Sequence, residues 1–126
     1  MSFSNYLETE LLDHVFAGNA YTSPSTVYVG LFTSNPAEDG SGTEVSGGSY
    51  VRKAGSFSVT GNTATTTAAI EFPTATASWG TITHIGIYDA SSAGNLLAYA
   101  ALTASKAIAS GDVFRIPTGD IDITLD

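Results

Sequence analysis

Three short apolar runs are spaced along this chain, residues 26–33, 81–89 and 96–103, and the stretches joining them are mostly Gly, Ser, Thr, Ala and Asn. Successive side chains of a strand point to opposite faces, so this spacing predicts short strands packed about a shared core. In the first run Val27, Val29 and Leu31 share one face and Tyr28, Gly30 and Phe32 the other. Both faces are apolar, which predicts a central strand. In the second run Ile85 and Ile87 oppose Ile82, His84, Gly86 and Tyr88, and the interleaved alanines of the third permit close sheet packing. Residues 50–53 and 113–116 are shorter candidates. Residues 57–60 and 63–72 flank Gly61-Asn62 as a hairpin whose threonine-rich arm predicts an edge or solvent-facing strand. Residues 121–125 form the last strand, with Ile121, Ile123 and Leu125 inward and Asp120, Asp122, Thr124 and Asp126 outward.

One segment has helical spacing instead: Leu7, Leu11, Leu12, Val15 and Phe16. Asn5 followed by Glu8 fits a capping box, and Gly18 supplies a stop. Early Glu8 and Glu10 and late His14 suit the helix dipole. Such a helix, about three turns long, is too short to be stable alone. Its apolar face must dock, on its own β domain by preference or on a neighbouring subunit. Residues 35–48 hold Pro36, four glycines, three acids and a lone large apolar Val45, which predicts a long exposed loop. The fold expected is mainly β: one antiparallel β-sandwich or jelly-roll domain over residues 1–126, with a short N-terminal helix within residues 1–18.

Composition narrows the function. Only 13% of the 126 residues are charged, so hydroxyls and amides supply much of the polar surface, and such a surface is cheap to desolvate against another subunit. Twelve acids face four cations, Arg52, Lys53, Lys106 and Arg115, for a net charge of −8. Four scattered cations do not make a phosphate-binding patch, so no nucleic-acid partner is expected. There is no cysteine, hence no disulfide or thiolate metal site. Residues 1–15 carry Glu8, Glu10 and Asp13 and no basic n-region, and no apolar run approaches the ~20 residues that span a bilayer. A soluble chain made in the cytoplasm, with no membrane partner, is expected.

The groups able to do chemistry are few. His84 lies within a strand, where a neighbouring hydroxyl satisfies it, and His14 sits where it caps the helix end. No G-x-S-x-G turn occurs. Asp120 and Asp122 read as the wet face of a terminal strand. Gly40-Ser41-Gly42-Thr43 lacks the lysine and helix of a phosphate cradle, and residues 38–44 lack calcium-loop spacing. No catalytic, cofactor-binding or metal-ligating residue is therefore assigned. Six tyrosines and Trp79 suit subunit contacts as well as the core.

Several segments carry a likeness to known proteins: Ser2-Phe3-Ser4-Asn5-Tyr6-Leu7-Glu8, Leu11-Leu12-Asp13-His14-Val15-Phe16, Val27-Tyr28-Val29-Gly30-Leu31-Phe32-Thr33 with Asn35-Pro36, and Glu44-Val45-Ser46-Gly47-Gly48-Ser49-Tyr50-Val51-Arg52. Ile70-Glu71-Phe72-Pro73, Trp79-Gly80-Thr81-Ile82-Thr83-His84-Ile85-Gly86-Ile87-Tyr88-Asp89, Gly94-Asn95-Leu96-Leu97 and Gly111-Asp112 extend it over nearly the whole chain. Together they resemble a family of small tailed-bacteriophage virion proteins, commonly labelled tail fibre or minor tail proteins. The resemblance implies a non-enzymatic virion component that packs on copies of itself and on other phage structural proteins. A tail position is the first expectation, a capsid decoration protein the second, and a module binding host-surface glycan the third. Candidate interface residues are Phe3, Leu7, Leu11 and Val15 on the helical segment, Glu38, Asp39 and Glu44 on the loop, and Tyr50 and Arg52 beyond it.

Overall fold

The computed structural model describes residues 1–125; the outward placement expected for Asp126 lies outside them. The chain is mainly β, with one N-terminal helix and several antiparallel sheets that do not close into a barrel. In order come β1 (Ser2–Phe3), α1 (Asn5–Phe16), β2 (Val27–Phe32), β3 (Lys53–Gly55), β4 (Phe57–Thr60), β5 (Thr63–Thr66), β6 (Ile70–Glu71), β7 (Gly80–Tyr88), β8 (Leu96–Ile108), β9 (Arg115–Ile116) and β10 (Asp122–Thr124). The largest sheet has the order β1-β8-β7-β2-β3, a second β10-β5-β4, and β6 pairs with β9.

The central strand expected at residues 26–33 is β2, which lies between β7 and β3 and buries both faces of its second half. Val29, Leu31, Ile82, Ile85, Ile87, Phe72, Trp79 and Phe114 belong to one buried cluster. Ile82 joins that cluster although simple alternation places it opposite Ile85 and Ile87. The reason is a bulge: Ile82 pairs with Lys106 but His84 with Ala101, so β8 carries three more residues than β7 across this step. An irregularity of this kind resets which face a side chain meets. The same insertion lets β8 run to Ile108, five residues beyond the run read from the sequence.

Two other expectations are corrected. Residues 50–52 precede the strand, which begins at Lys53. The threonine-rich arm is not an edge: β5 lies between β4 and β10, and its Ala64 pairs with both Val59 and Ile123. The hairpin through Gly61-Asn62 forms as expected, but its second arm stops at Thr66, and Ile70–Glu71 turn to pair with β9. Of the inward row expected over residues 121–125, Ile121 and Ile123 meet the core, whereas Leu125 is exposed, and the strand itself is only Asp122–Thr124.

Candidate functional site

Helix α1 is the first part of the surface to consider. Its cap is Ser4, not Asn5: the Ser4 hydroxyl accepts from Leu7 N at 3.1 Å and donates to the Leu96 carbonyl, so one buried side chain starts the helix and pins it to β8. Asn5 N–H donates to Glu38 O at 3.0 Å, which joins the helix to the loop. Gly18, with φ of 76°, turns the chain away, and His14 Nδ1 lies 3.0 Å from Asn19 O beyond the helix end. The preferred docking of the apolar face on its own domain holds only for the first turn, where Tyr6 and Leu7 pack against the core. Further along, the exposed fractions are 39% for Leu11, 60% for Leu12, 59% for Val15 and 81% for Phe16. Since the helix buries no residue completely, its outer two turns present a bare apolar stripe.

The loop of residues 35–48 is tied at both ends. Pro36 and Val45 are buried, Val45 N–H donates to Leu31 O at 2.9 Å, and Thr33 N–H to Thr43 O at 3.0 Å. Glu38 and Asp39 stand exposed at its tip and border an open cleft of about 470 Å³ beside the start of α1. The hydroxyl and N–H of Ser41 hold the Asp39 carboxyl below its ordinary range.

Glu44, Tyr50 and Arg52 meet each other. Arg52 grips Glu44 with two parallel bonds, Nε to Oε2 at 2.9 Å and Nη2 to Oε1 at 2.8 Å. Its Nη1 donates to the carbonyls of Ala90 and Ala93 at 3.0 and 2.8 Å, and its guanidinium lies 3.5 Å from the centre of the Tyr88 ring. Tyr50 OH donates to Glu44 Oε2 at 2.6 Å while accepting from Leu31 N at 2.9 Å. With side-chain exposures of 8% for Arg52 and 23% for Glu44, this pair ties the loop, β2 and the turn after β7 together from within. Planar, bidentate geometry is what arginine offers and lysine does not. Burial opposes the Arg52 cation, but the hydrogen bonds and charge of Glu44 outweigh it and raise its pKa.

Sequence reading missed the residues that make room for this network. A Cβ on Gly30 would lie 2.7 Å from Glu44 Oε2, so β2 needs glycine where the carboxylate crosses it. Trp79 donates from Nε1 to Gly48 O at 2.9 Å and meets the Tyr50 ring edge-on at 5.4 Å. A glycine inside an otherwise apolar strand was the one available signal of close approach. Leu12 and Phe16, the most exposed members of the helical stripe, were legible in the spacing but were not among the candidates. Phe3 is half-buried and pairs with Ala98 at the edge of the largest sheet, and Leu7 is half-buried, while Leu11 and Val15 are exposed.

Burial pushes the Tyr50 phenol far above its ordinary value, the Glu44 hydrogen bond adding to this and the Leu31 N–H opposing it. Tyr88 is raised by burial and by the Glu44 charge, against Arg52. Both folded-state values exceed the unfolded value of about 10, so their contribution is complete below that pH and is lost as pH climbs above it. Unfolding free energy measured by urea titration should therefore fall above pH ~10, and less steeply in Tyr50→Phe. An equal slope in that variant would show that Tyr50 does not drive the loss.

Among the described residues no group of three or more His, Cys, Asp or Glu side chains is placed to hold a metal ion. His84 Nδ1 lies 2.8 Å from the Thr83 hydroxyl, a satisfied imidazole within β7. The arrangement offers internal ties and a bare helical stripe. Residues 2–124 match the family model described as "Podophage GP4 fiber I protein gp80". No curated protein matches the chain.

Proposed function

The chain belongs to the podophage GP4 fiber I protein gp80 family, and from that premise we propose that it builds a tail fibre by associating with other copies of itself through the outer turns of α1. Family membership makes it a non-enzymatic structural component of the virion, with a tail-fibre role. The observation that carries the association is the bare stripe of Leu11, Leu12, Val15 and Phe16 on a helix held in its own chain by one turn. An isolated helix of this length is marginal in water, so covering the stripe supplies what the helix lacks. In this reading residues 1–126 act as one unit: the Glu44, Tyr50 and Arg52 network stiffens the body, and Leu11 and Val15 belong to the contact. A low charge density keeps desolvation inexpensive, and copy number supplies avidity from modest interfaces.

Leu12→Gln combined with Phe16→Gln should shift the protein towards monomer in sedimentation equilibrium. Both side chains are exposed in the single chain, so unfolding free energy should change by no more than roughly 0.5 kcal/mol. An unchanged oligomer distribution would remove the helix from the contact. Fibre assembly in particles carrying the same variant checks the role in the virion.

A further inference from the structure

We propose, resting on the helix-mediated association above, that α1 of one copy seats in a groove on a second copy of this chain, so that the contact runs head to tail. The groove has a volume of about 320 Å³ and lies between the bulged stretch of β8 and the chain from β9 to β10. Phe114, Ile116 and Ile121 form its apolar floor, and Leu102 stands on the β8 wall. Lys106 and Arg115 line it as well, and both are exposed. Among the described residues the one ion pair is Arg52 with Glu44, so neither cation has a described carboxylate within ion-pair distance, although Arg115 faces Glu71 across the β6–β9 ladder.

The stripe on α1 is the matching surface. Glu8 lies one turn before Leu12 on the same helical row, Asp13 flanks Phe16, and the helix carries no Lys or Arg. An acidic helix with an apolar stripe fits an apolar groove whose lining includes the exposed cations Lys106 and Arg115. Asp120 and Asp122 line the groove too, which leaves it locally neutral on a chain of net charge −8. Two approaching copies therefore meet less repulsion there than their overall charge dictates. The helix and the groove are different surfaces, so every copy offers its helix to one neighbour and its groove to another. Heterologous contacts of this kind close into rings or extend as filaments, the forms a fibre can use.

The absence of native cysteine makes the geometry testable by disulfide trapping. Val15→Cys and Ala104→Cys place one thiol on the stripe and one on the groove wall, both at exposed positions. Under mild oxidation a mixture of the two single variants should give a covalent dimer, and the double variant a ladder of linked oligomers. Lys106→Glu with Arg115→Gln should weaken association roughly tenfold or more, and mixing with Glu8→Lys, Asp13→Lys should restore it. Circular dichroism melts matching the parent show that each variant is folded. If Val15→Cys alone forms dimers and the mixture yields no mixed dimer of the two variants, helices pair with helices and the groove assignment falls while the role of α1 stands. If the parent protein is monomeric at all concentrations, both readings fall.

Discussion

Arg52→Ala should lower the unfolding free energy by roughly 3 kcal/mol, as expected when one partner of a buried ion pair is removed and the other is left behind. The substitution strips Glu44 of two charge-assisted bonds and leaves its carboxylate with Tyr50 OH alone, beside a strand that has no side chain at Gly30 to shield it. The carbonyls of Ala90 and Ala93 lose their donor in the same step, so the turn after β7 is released from the loop before β3. Urea denaturation at neutral pH measures the loss. Arg52→Lys should recover little of it, because an ammonium cannot reproduce the two-pronged grip and the two carbonyl bonds together. Replacing both partners, as in Arg52→Met with Glu44→Leu, should cost less than the two single changes summed. A loss below about 1 kcal/mol for Arg52→Ala would show that water replaces the network at no great cost.

The second large effect is expected at Trp79, where Trp79→Ala should cost about 3–5 kcal/mol. The indole is 4% exposed, lies in the main core cluster and meets Tyr50 edge-on with an angle of 83° between the rings. Removing it opens a cavity beside Tyr50, whose ring also stacks on Phe72. The indole N–H also ties Gly48, a residue at φ of 57° where an added Cβ would lie 2.8 Å from Nε1. Trp79→Phe keeps most of the packing and should cost clearly less. Because Trp79 and Arg52 both bear on Tyr50, their combined effect should depart from additivity, which a double-mutant cycle reads directly. Strict additivity would show that the aromatic cluster and the ion pair stabilise the protein independently.

The candidate site was legible in its parts and not in its arrangement. Glu44, Tyr50 and Arg52 stood out together as interface candidates, yet their side chains turn to one another and to Tyr88, Ala90 and Ala93. Nothing local in the chain announces a bond between residue 52 and residue 90. Residues 35–48 read as an exposed loop because Pro36 and Val45 are isolated among polar neighbours, but both are buried where the loop folds back on Leu31 and Thr33. For the helix, spacing identified the apolar stripe correctly. It could not tell that β8 and the loop take only the first turn.

Local pattern in the chain is enough to make it strand-rich with one opening helix, to place its main turns, and to leave it poor in chemical groups. Those properties are written in neighbours two, three or four positions apart and in the backbone preferences of Gly, Pro and Asn. Long-range packing is what makes β5 central in its sheet, carries Ile82 into the core through a bulge, turns the Arg52 donors inward and leaves α1 half bare. Each of these depends on contacts between residues far apart along the chain, whose register and partners no local pattern specifies.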